Sequence, residues 1–464
     1  MDAIDGETLG LLRGILGPQG VRIGDTLAAL DPGVEKRNLD AGVAALPAST
    51  AEVAAVLALC NARGVGVVTL GGRTGLAGGG VSVPGELVLL TARLNRQIDI
   101  DAAAGTATVE AGVTLSALAE AAALHGLAPG IDLGARDSCT IGGLISTNAG
   151  GMDAFRHGPM RRRVLGLEAV LAGGRVLSDL TAVVKNNEGY DIKQLFIGAE
   201  GTLGVVTRAV LKLEPDPGER ALAYCFAADA GVALVLLNQL RSLGGAVLTR
   251  AEIMWREHAN FTAGALGLPH LCAPAGAEVA VIFETASHLP GLARERLEAA
   301  LGLALEAVPG LLDVLMPKSE AEVRDIWRVR EDWAVDRAFP NGLNFDVSVP
   351  LAALDDYMRG LCERVRALDP SLQLWCLGHL ADGNLHVTVN TDHIITERLG
   401  ELEPLIYARL REIGGSISAE HGIGLTKKAA LERYGDPVKL AVMRAVKHAL
   451  DPKGVMNRGK VVGP

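Results

Sequence analysis

The chain has 464 residues, 49% of them hydrophobic, 21% charged and only 3% aromatic, with a net charge of −10. That length suggests roughly two to four domains, and the apolar content excludes a disordered chain. The acidic balance argues against a general nucleic-acid or anionic-membrane binder.

Six cysteines are scattered without any Cys-x-x-Cys pair. That fits a reducing compartment and argues against a Cys-ligated zinc or iron–sulfur site. The start, Met1-Asp2-Ala3-Ile4-Asp5-Gly6-Glu7, lacks the basic-then-apolar order of a signal peptide. No apolar run reaches the ~20 residues of a membrane span. The expectation is a cytoplasmic protein without a transmembrane segment.

Residues 1–37 read as a helical, peripheral segment, with Leu9, Leu11, Leu12 and Ile15 as one apolar face. Ser49-Thr50-Ala51-Glu52 has the spacing of a capping box. The helix it opens carries Val53, Val56, Leu57 and Cys60 inward and stops near Gly64. A short buried strand, Gly66–Thr69, follows. It feeds Leu70-Gly71-Gly72-Arg73-Thr74-Gly75-Leu76-Ala77-Gly78-Gly79-Gly80, in which six of eleven residues are glycine. Glycines there allow φ > 0 and let backbone N–H groups converge on an anion. The stretch reads either as a nest for the pyrophosphate of a dinucleotide or as a flexible turn. It is neither a Rossmann fingerprint nor a P-loop.

Short strands follow near Leu87–Leu90, Ile98–Ile100 and Thr106–Ala111, then a helix from Thr114 to His125. A second glycine-rich region runs from Gly130 to Gly151. Its small hydroxyls, amides and glycines suit a flat, polar-edged ligand, or simply a long loop. Two strands around Gly173-Gly174 read as a hairpin. Leu195–Gly204 is a third ligand-loop candidate and enters a strand at Val205-Val206-Thr207. Glu214-Pro215-Asp216-Pro217-Gly218-Glu219 reads as a domain boundary. Beyond it, alternating helices and strands indicate a second α+β domain.

Polar groups concentrate late in the chain. His379 and His386 flank a turn at Asp382-Gly383, and a hairpin there can bring both imidazoles to one end. Glu420-His421 adds a carboxylate beside another histidine. Two imidazoles and a carboxylate form a donor set for Zn²⁺, Mn²⁺ or Fe²⁺. The alternative is a pair of turn-supporting histidines bonded to Asp382. Arg330 is either a fork for a substrate carboxylate or one charge on a solvated helix face. Arg161-Arg162-Arg163 reads as an exposed turn, with docking of an acidic electron acceptor as a further reading.

These segments together resemble the FAD-linked D-2-hydroxyacid dehydrogenases of the vanillyl-alcohol-oxidase, or PCMH-type, flavoprotein superfamily. The resemblance extends from about Arg37 to Lys460. It implies an α+β fold: a PCMH-type FAD-binding domain of two α/β subdomains over residues 38–217, a substrate cap over 218–415, and a segment 416–464 returning to the FAD site. FAD would lie against Gly71, Gly72, Arg73, Thr74, Gly75, Leu76 and Gly79. The second segment would contribute Asp132, Leu133, Ala135, Ser138, Thr140, Ile141, Gly142, Asn148, Ala149 and Gly150. The third would contribute Glu200, Gly201, Gly204 and Val206, and the C-terminal Asn457-Arg458-Gly459-Lys460 would contribute Asn457. Arg458 stands where the family usually has proline.

By the same resemblance, His379, His386 and Glu420 would hold a divalent metal, Zn²⁺ first among the candidates. His421 would be the base, and Arg330 would bind the substrate carboxylate. Asn344 and Thr388, with His421, would line the substrate. Three positions depart from the hydroxyglutarate enzymes: Asn344 replaces a lysine, Ala334 a threonine and Thr388 an asparagine. Losing a cation and two hydrogen-bonding groups points away from a second carboxylate and toward D-lactate or another small acid. Positions 71–80 contain no histidine, which implies dissociable FAD. An electron-transfer flavoprotein, a quinone or a cytochrome would take the electrons, and a homodimer is the family expectation. Alternatives on the same fold are a flavin oxidase, an alkyl-glycerone-phosphate-synthase-like transferase, or a subunit of a glycolate-oxidase-like complex.

Overall fold

The computed structural model describes residues 4–391 and 398–463. Residues 1–3, where the sequence reading placed the start of its first segment, lie outside them. The chain divides into two compact units: Met1–Asp216 with Glu420–Pro464, and Pro217–Ala419.

The first unit opens on the helix Gly6–Leu16, capped by the Asp5 carboxylate, which accepts from the Thr8 N–H. This helix buries Thr8, Leu12 and Leu16. Leu11 is 43% exposed, so the expected apolar face is rotated: consecutive residues stand about 100° apart on a helix. The segment is also not helical throughout, because Val21–Ile23 forms strand β1. It pairs antiparallel with β2 (Val43–Ala45). β2 and β3 (Gly66–Leu70) both run parallel to β4 (Glu86–Leu90), giving the order β1-β2-β4-β3. The connecting helix Thr50–Arg63 starts at Ser49, whose hydroxyl accepts from the Glu52 N–H. It ends at left-handed Gly64 and buries Val53, Val56, Leu57 and Cys60.

A second, antiparallel sheet contains β5 (Ile98–Asp101) and β6 (Thr106–Glu110). β7 (Leu127–Ala128) stands apart from it. β8 (Val164–Val170), β9 (Val176–Asp179) and β10 (Val205–Lys212) complete the order β5-β6-β10-β8-β9. β8 and β9 form the hairpin around Gly173-Gly174. β11 (Glu214–Pro215) pairs with β7. Inside this sheet Glu168 accepts from Thr50, Thr207 and Arg208. Burial alone would raise its pKa, but these donors and the Arg208 charge hold it down at about 2.

The run Met160–Arg163 is helical rather than an exposed turn. Arg163 is buried on Glu214 at 2.6 Å, and Arg161 donates to Gln194 and Ile197. Arg161 and Arg162 are exposed, and Arg163 is buried.

The second unit is built on one antiparallel sheet. Its strands are β12 (Glu219–Ala227), β13 (Val247–Trp255), β14 (Val279–Ser287), β15 (Leu311–Leu315), β16 (Leu343–Ser348), β17 (Gln373–His379) and β18 (Asn384–Asn390). Among the described residues their order is β15-β12-β14-β13-β17-β18-β16. β14 is buried along its whole length, as a strand covered on both faces must be. On one face Tyr224, Phe226, Met254 and Ile282 pack against Ala259 and Ala263 of the helix Arg256–Ala265 and against Ile326 and Val329 of the helix Glu320–Glu331. The architecture is α+β in both units.

Candidate active site

In the first unit the three glycine-rich segments and the C-terminal segment meet. The glycines of residues 71–80 act mainly by lacking a side chain. A Cβ on Gly71 would stand 2.3 Å from Thr140 Oγ1, and one on Gly72 would stand 2.0 Å from the Ser138 carbonyl oxygen. Of the six, only Gly78 has positive φ. The left-handed position earlier in the loop belongs to Arg73, at φ 59°.

Left-handed backbone is rare outside glycine and gathers at functional sites. Among the described residues the non-glycine cases are Arg73, Asn148, Glu200, Asn457 and Val461. The first four are all expected flavin contacts. Nearby, Thr69 Oγ1, Arg73 Nε and Thr140 Oγ1 are buried without a hydrogen-bond partner among the described residues. Buried polar atoms normally have partners, so these groups fit a ligand rich in donors and acceptors. On both counts the residues fit FAD.

The C-terminal segment completes this cradle. Met456 forms a parallel bridge with Val67, and Asn457 Nδ2 donates to the carbonyl oxygens of Gly79 and Glu200. Arg458, the departure from the family's proline, donates to the Gly64 carbonyl at 2.7 Å. Glu200 accepts from the N–H groups of Ile423 (2.7 Å) and Gly424 (2.9 Å). Its carboxylate therefore fixes the backbone just past His421. Burial raises its pKa against the pull of those two N–H groups. The Glu420 carboxylate accepts from the Gly151 N–H at 2.7 Å. Asp132 pairs with Arg136 at 2.9 Å and bridges Gly151 through its backbone.

In the second unit the hairpin β17–β18 pairs His379 with Asn384 and Leu377 with His386. Both histidines thus share one sheet face, with ring centroids 5.7 Å apart. Asp346 lies opposite His386 on β16, and Glu252 lies opposite His379 on β13. Asp382 Oδ1 accepts from the Asn384 N–H.

Glu252 is the residue that sequence reasoning missed. Its side chain is 1% exposed. One oxygen meets His379 Nδ1 at 2.8 Å, and the other accepts from Arg330 Nε at 2.9 Å and Nη2 at 2.8 Å. A carboxylate only accepts, so Nδ1 carries the proton and the His379 lone pair is on Nε2. Burial pushes the Glu252 pKa up, but His379 and Arg330 outweigh it and keep the group ionised. A carboxylate behind an imidazole is the usual support of a metal-ligating histidine. The sequence signal was a charge inside the apolar run Ala251-Glu252-Ile253-Met254.

Arg330 is correspondingly not on a solvated face; its side chain is 11% exposed. Glu252 takes its Nε edge. The guanidinium fork still has N–H groups at Nη1 and Nη2 for a planar carboxylate. His258, buried beside it, has its pKa lowered to about 3 by desolvation first and by the Arg330 charge second. Further along the histidine face, Thr388 donates to Asn344 Oδ1 at 2.6 Å, and Asn344 Nδ2 donates to Asp336 at 3.2 Å. Ala334 is buried.

Residues 41–179 match the model of an FAD binding domain, and residues 216–461 match that of the C-terminal domain of FAD linked oxidases. The mitochondrial D-2-hydroxyglutarate dehydrogenase of Bos taurus is 38% identical over 90% of this chain and 76% of its own length. The D-2-hydroxyglutarate dehydrogenase of Xanthomonas citri is 37% identical over 90% of this chain and 88% of its own. The crystal structure of p-cresol methylhydroxylase shares the fold, with a TM-score of 0.72 at 16% identity over 98% of this chain and 96% of that one. No helix among the described residues is long and apolar enough to cross a membrane. The chain belongs to the FAD linked oxidases, and within that family to the FAD-dependent D-2-hydroxyacid dehydrogenases with the PCMH-type fold.

Proposed function

We propose that this dehydrogenase oxidises a small D-2-hydroxyacid other than D-2-hydroxyglutarate, with a divalent metal and His421 as its proton acceptor. The observation that carries the reading is the Glu252 hub, which orients His379 and Arg330 from a single buried carboxylate. Arg330 binds the substrate carboxylate through its Nη edge and sets the orientation of the α-carbon. His379, His386 and Glu420 hold the metal, with Zn²⁺ best suited to two imidazoles and a carboxylate and Mn²⁺ or Fe²⁺ as alternatives. Covalent continuity supports this set: Ala419 N–H donates to Asp346, which faces His386, and Glu420 is the next residue.

A metal held there would polarise the α-hydroxyl, and bound FAD would supply the hydride acceptor. His421 takes the hydroxyl proton, and Glu200 keeps the loop behind it in place. Asn344, paired with Asp336, and Thr388 offer no cation for a second carboxylate.

The absence of a histidine from residues 71–80 supports non-covalent FAD. A non-oxygen acceptor, a homodimer and a cytoplasmic location complete the proposal. All six cysteines are free thiols, as a reducing compartment requires.

The test is anaerobic titration of the purified yellow protein with a panel of D-2-hydroxyacids. Bleaching by D-lactate or a similar small acid, lost on chelation and restored by Zn²⁺, is expected. Preference for D-2-hydroxyglutarate would overturn the substrate reading. Bleaching that survives complete metal removal would overturn the metal reading. Stoichiometric peroxide in air would mark an oxidase.

A further inference from the structure

We propose that Asp336 makes this enzyme select D-2-hydroxyacids whose tail ends in a hydrogen-bond donor, an amide, hydroxyl or ammonium, over those ending in a second carboxylate. The inference rests on the reading above that Arg330 and His386 mark the carboxylate and hydroxyl end of the substrate.

From His386 the histidine face continues along β18 to Thr388, two residues on. That step is roughly 6–7 Å, which an extended tail of about four or five bonds covers. Thr388 lies opposite Asn344 on β16 and opposite Trp375 on β17, so the three share one face. Trp375 packs against Phe339 at 4.6 Å, tilted, and meets Phe261 edge-on at 5.9 Å, forming an apolar wall. Asp336 comes from the helix Ala334–Ala338, a few residues after Arg330.

The hydrogen-bond inventory decides the chemistry. The single O–H of Thr388 is given to Asn344 Oδ1. One N–H of the Asn344 amide is given to Asp336 Oδ1. Asp336 has only acceptors, which also fixes the orientation of the Asn344 amide. The relay therefore runs Thr388 to Asn344 to Asp336. Two of its three O–H and N–H donors are spent internally, and Asp336 keeps a second carboxylate oxygen beyond the one that Asn344 uses. Among the described residues no cation pairs with Asp336. A carboxylate tail arriving here would bring only acceptors and a like charge. An amide, hydroxyl or ammonium would donate to Asp336 directly.

Three substrates of equal length test this in the holoenzyme: D-2-hydroxyglutarate, its 5-amide, and D-2-hydroxy-5-aminopentanoate. The amide and the amine should exceed the diacid in kcat/KM by roughly tenfold or more, the factor that 1.4 kcal/mol represents. Asp336→Asn should lower that ratio about tenfold, mainly through the KM of the diacid. Asn344→Lys should lower it further. A wild type that prefers the diacid, or ratios unmoved in both variants at normal flavin content, would overturn the proposal. If D-lactate bleaches the flavin and none of the three does, the tail reading alone is wrong. If no D-2-hydroxyacid bleaches it, the reading of the whole site fails first.

Discussion

Replacing Glu252 with glutamine keeps its shape and removes its charge. Within a nearly closed site it would face three N–H groups, from His379 Nδ1 and from Arg330 Nε and Nη2. Glutamine has one oxygen to offer, so its own NH₂ must oppose at least one donor. Breaking a buried ion pair by removing one partner costs about 3–5 kcal/mol. Retaining one acceptor places Glu252→Gln near the lower end, ~3 kcal/mol.

For a unit of about 200 residues, each kcal/mol moves Tm by roughly 2–4 °C, which gives ~6–12 °C. Differential scanning calorimetry of the holoprotein reads this directly. Arg330 would lose its anchor, so kcat/KM for the best D-2-hydroxyacid should fall roughly 10²-fold. The double variant Glu252→Gln/Arg330→Gln should be more stable than the sum of the singles by at least ~1 kcal/mol. An unchanged Tm with kcat/KM within a factor of about two would refute the account of Glu252 as a shared anchor.

Further outcomes are expected. Gly72→Ala should leave little bound flavin, because its Cβ would press on the Ser138 carbonyl at 2.0 Å; the flavin-to-protein absorbance ratio reads this. Glu200→Gln removes the charge holding the Ile423 and Gly424 N–H groups and should lower kcat per bound flavin roughly tenfold. In denaturant melts Glu168 should give stability that is complete above pH 4.5 and fades as pH falls toward about 2, since its folded pKa is depressed. Glu168→Gln should flatten that acid limb, and a curve of unchanged slope would count against the assignment. Acid precipitation should release all of the FAD into the supernatant.

Local rules made much of the first unit legible. The Ser49 cap, the inward Val53, Val56, Leu57 and Cys60, and the stop at Gly64 follow from spacing and capping chemistry alone. In the glycine loop the residue type matters less for φ freedom than its spacing suggests. Close approach to Ser138 and Thr140 decides Gly71 and Gly72, and Arg73 takes the strained φ. Contacts between residues far apart in sequence were not legible. Glu252 and Arg330 are 78 positions apart, and a lone charge within the apolar run of β13 does not name its partner. The first segment was misread because Val21–Ile23 is too short to show a period of its own. Arg161–Arg163 was misread because a basic run carries no sign of Glu214 or of the carbonyls that take up its charge.

The chain also crosses its own boundary twice. Glu420–Pro464 belongs with Met1–Asp216, while Pro217–Ala419 is threaded in between. β3 and its glycine loop therefore leave the ribosome long before Met456 and Asn457, the residues that bridge to Val67 and hold Gly79. The inserted unit has its whole sheet available earlier and can finish folding first. Cofactor loading becomes a late event in the life of each molecule, and a chain cut short after the insert would carry the histidine pair but no closed seat for the nucleotide.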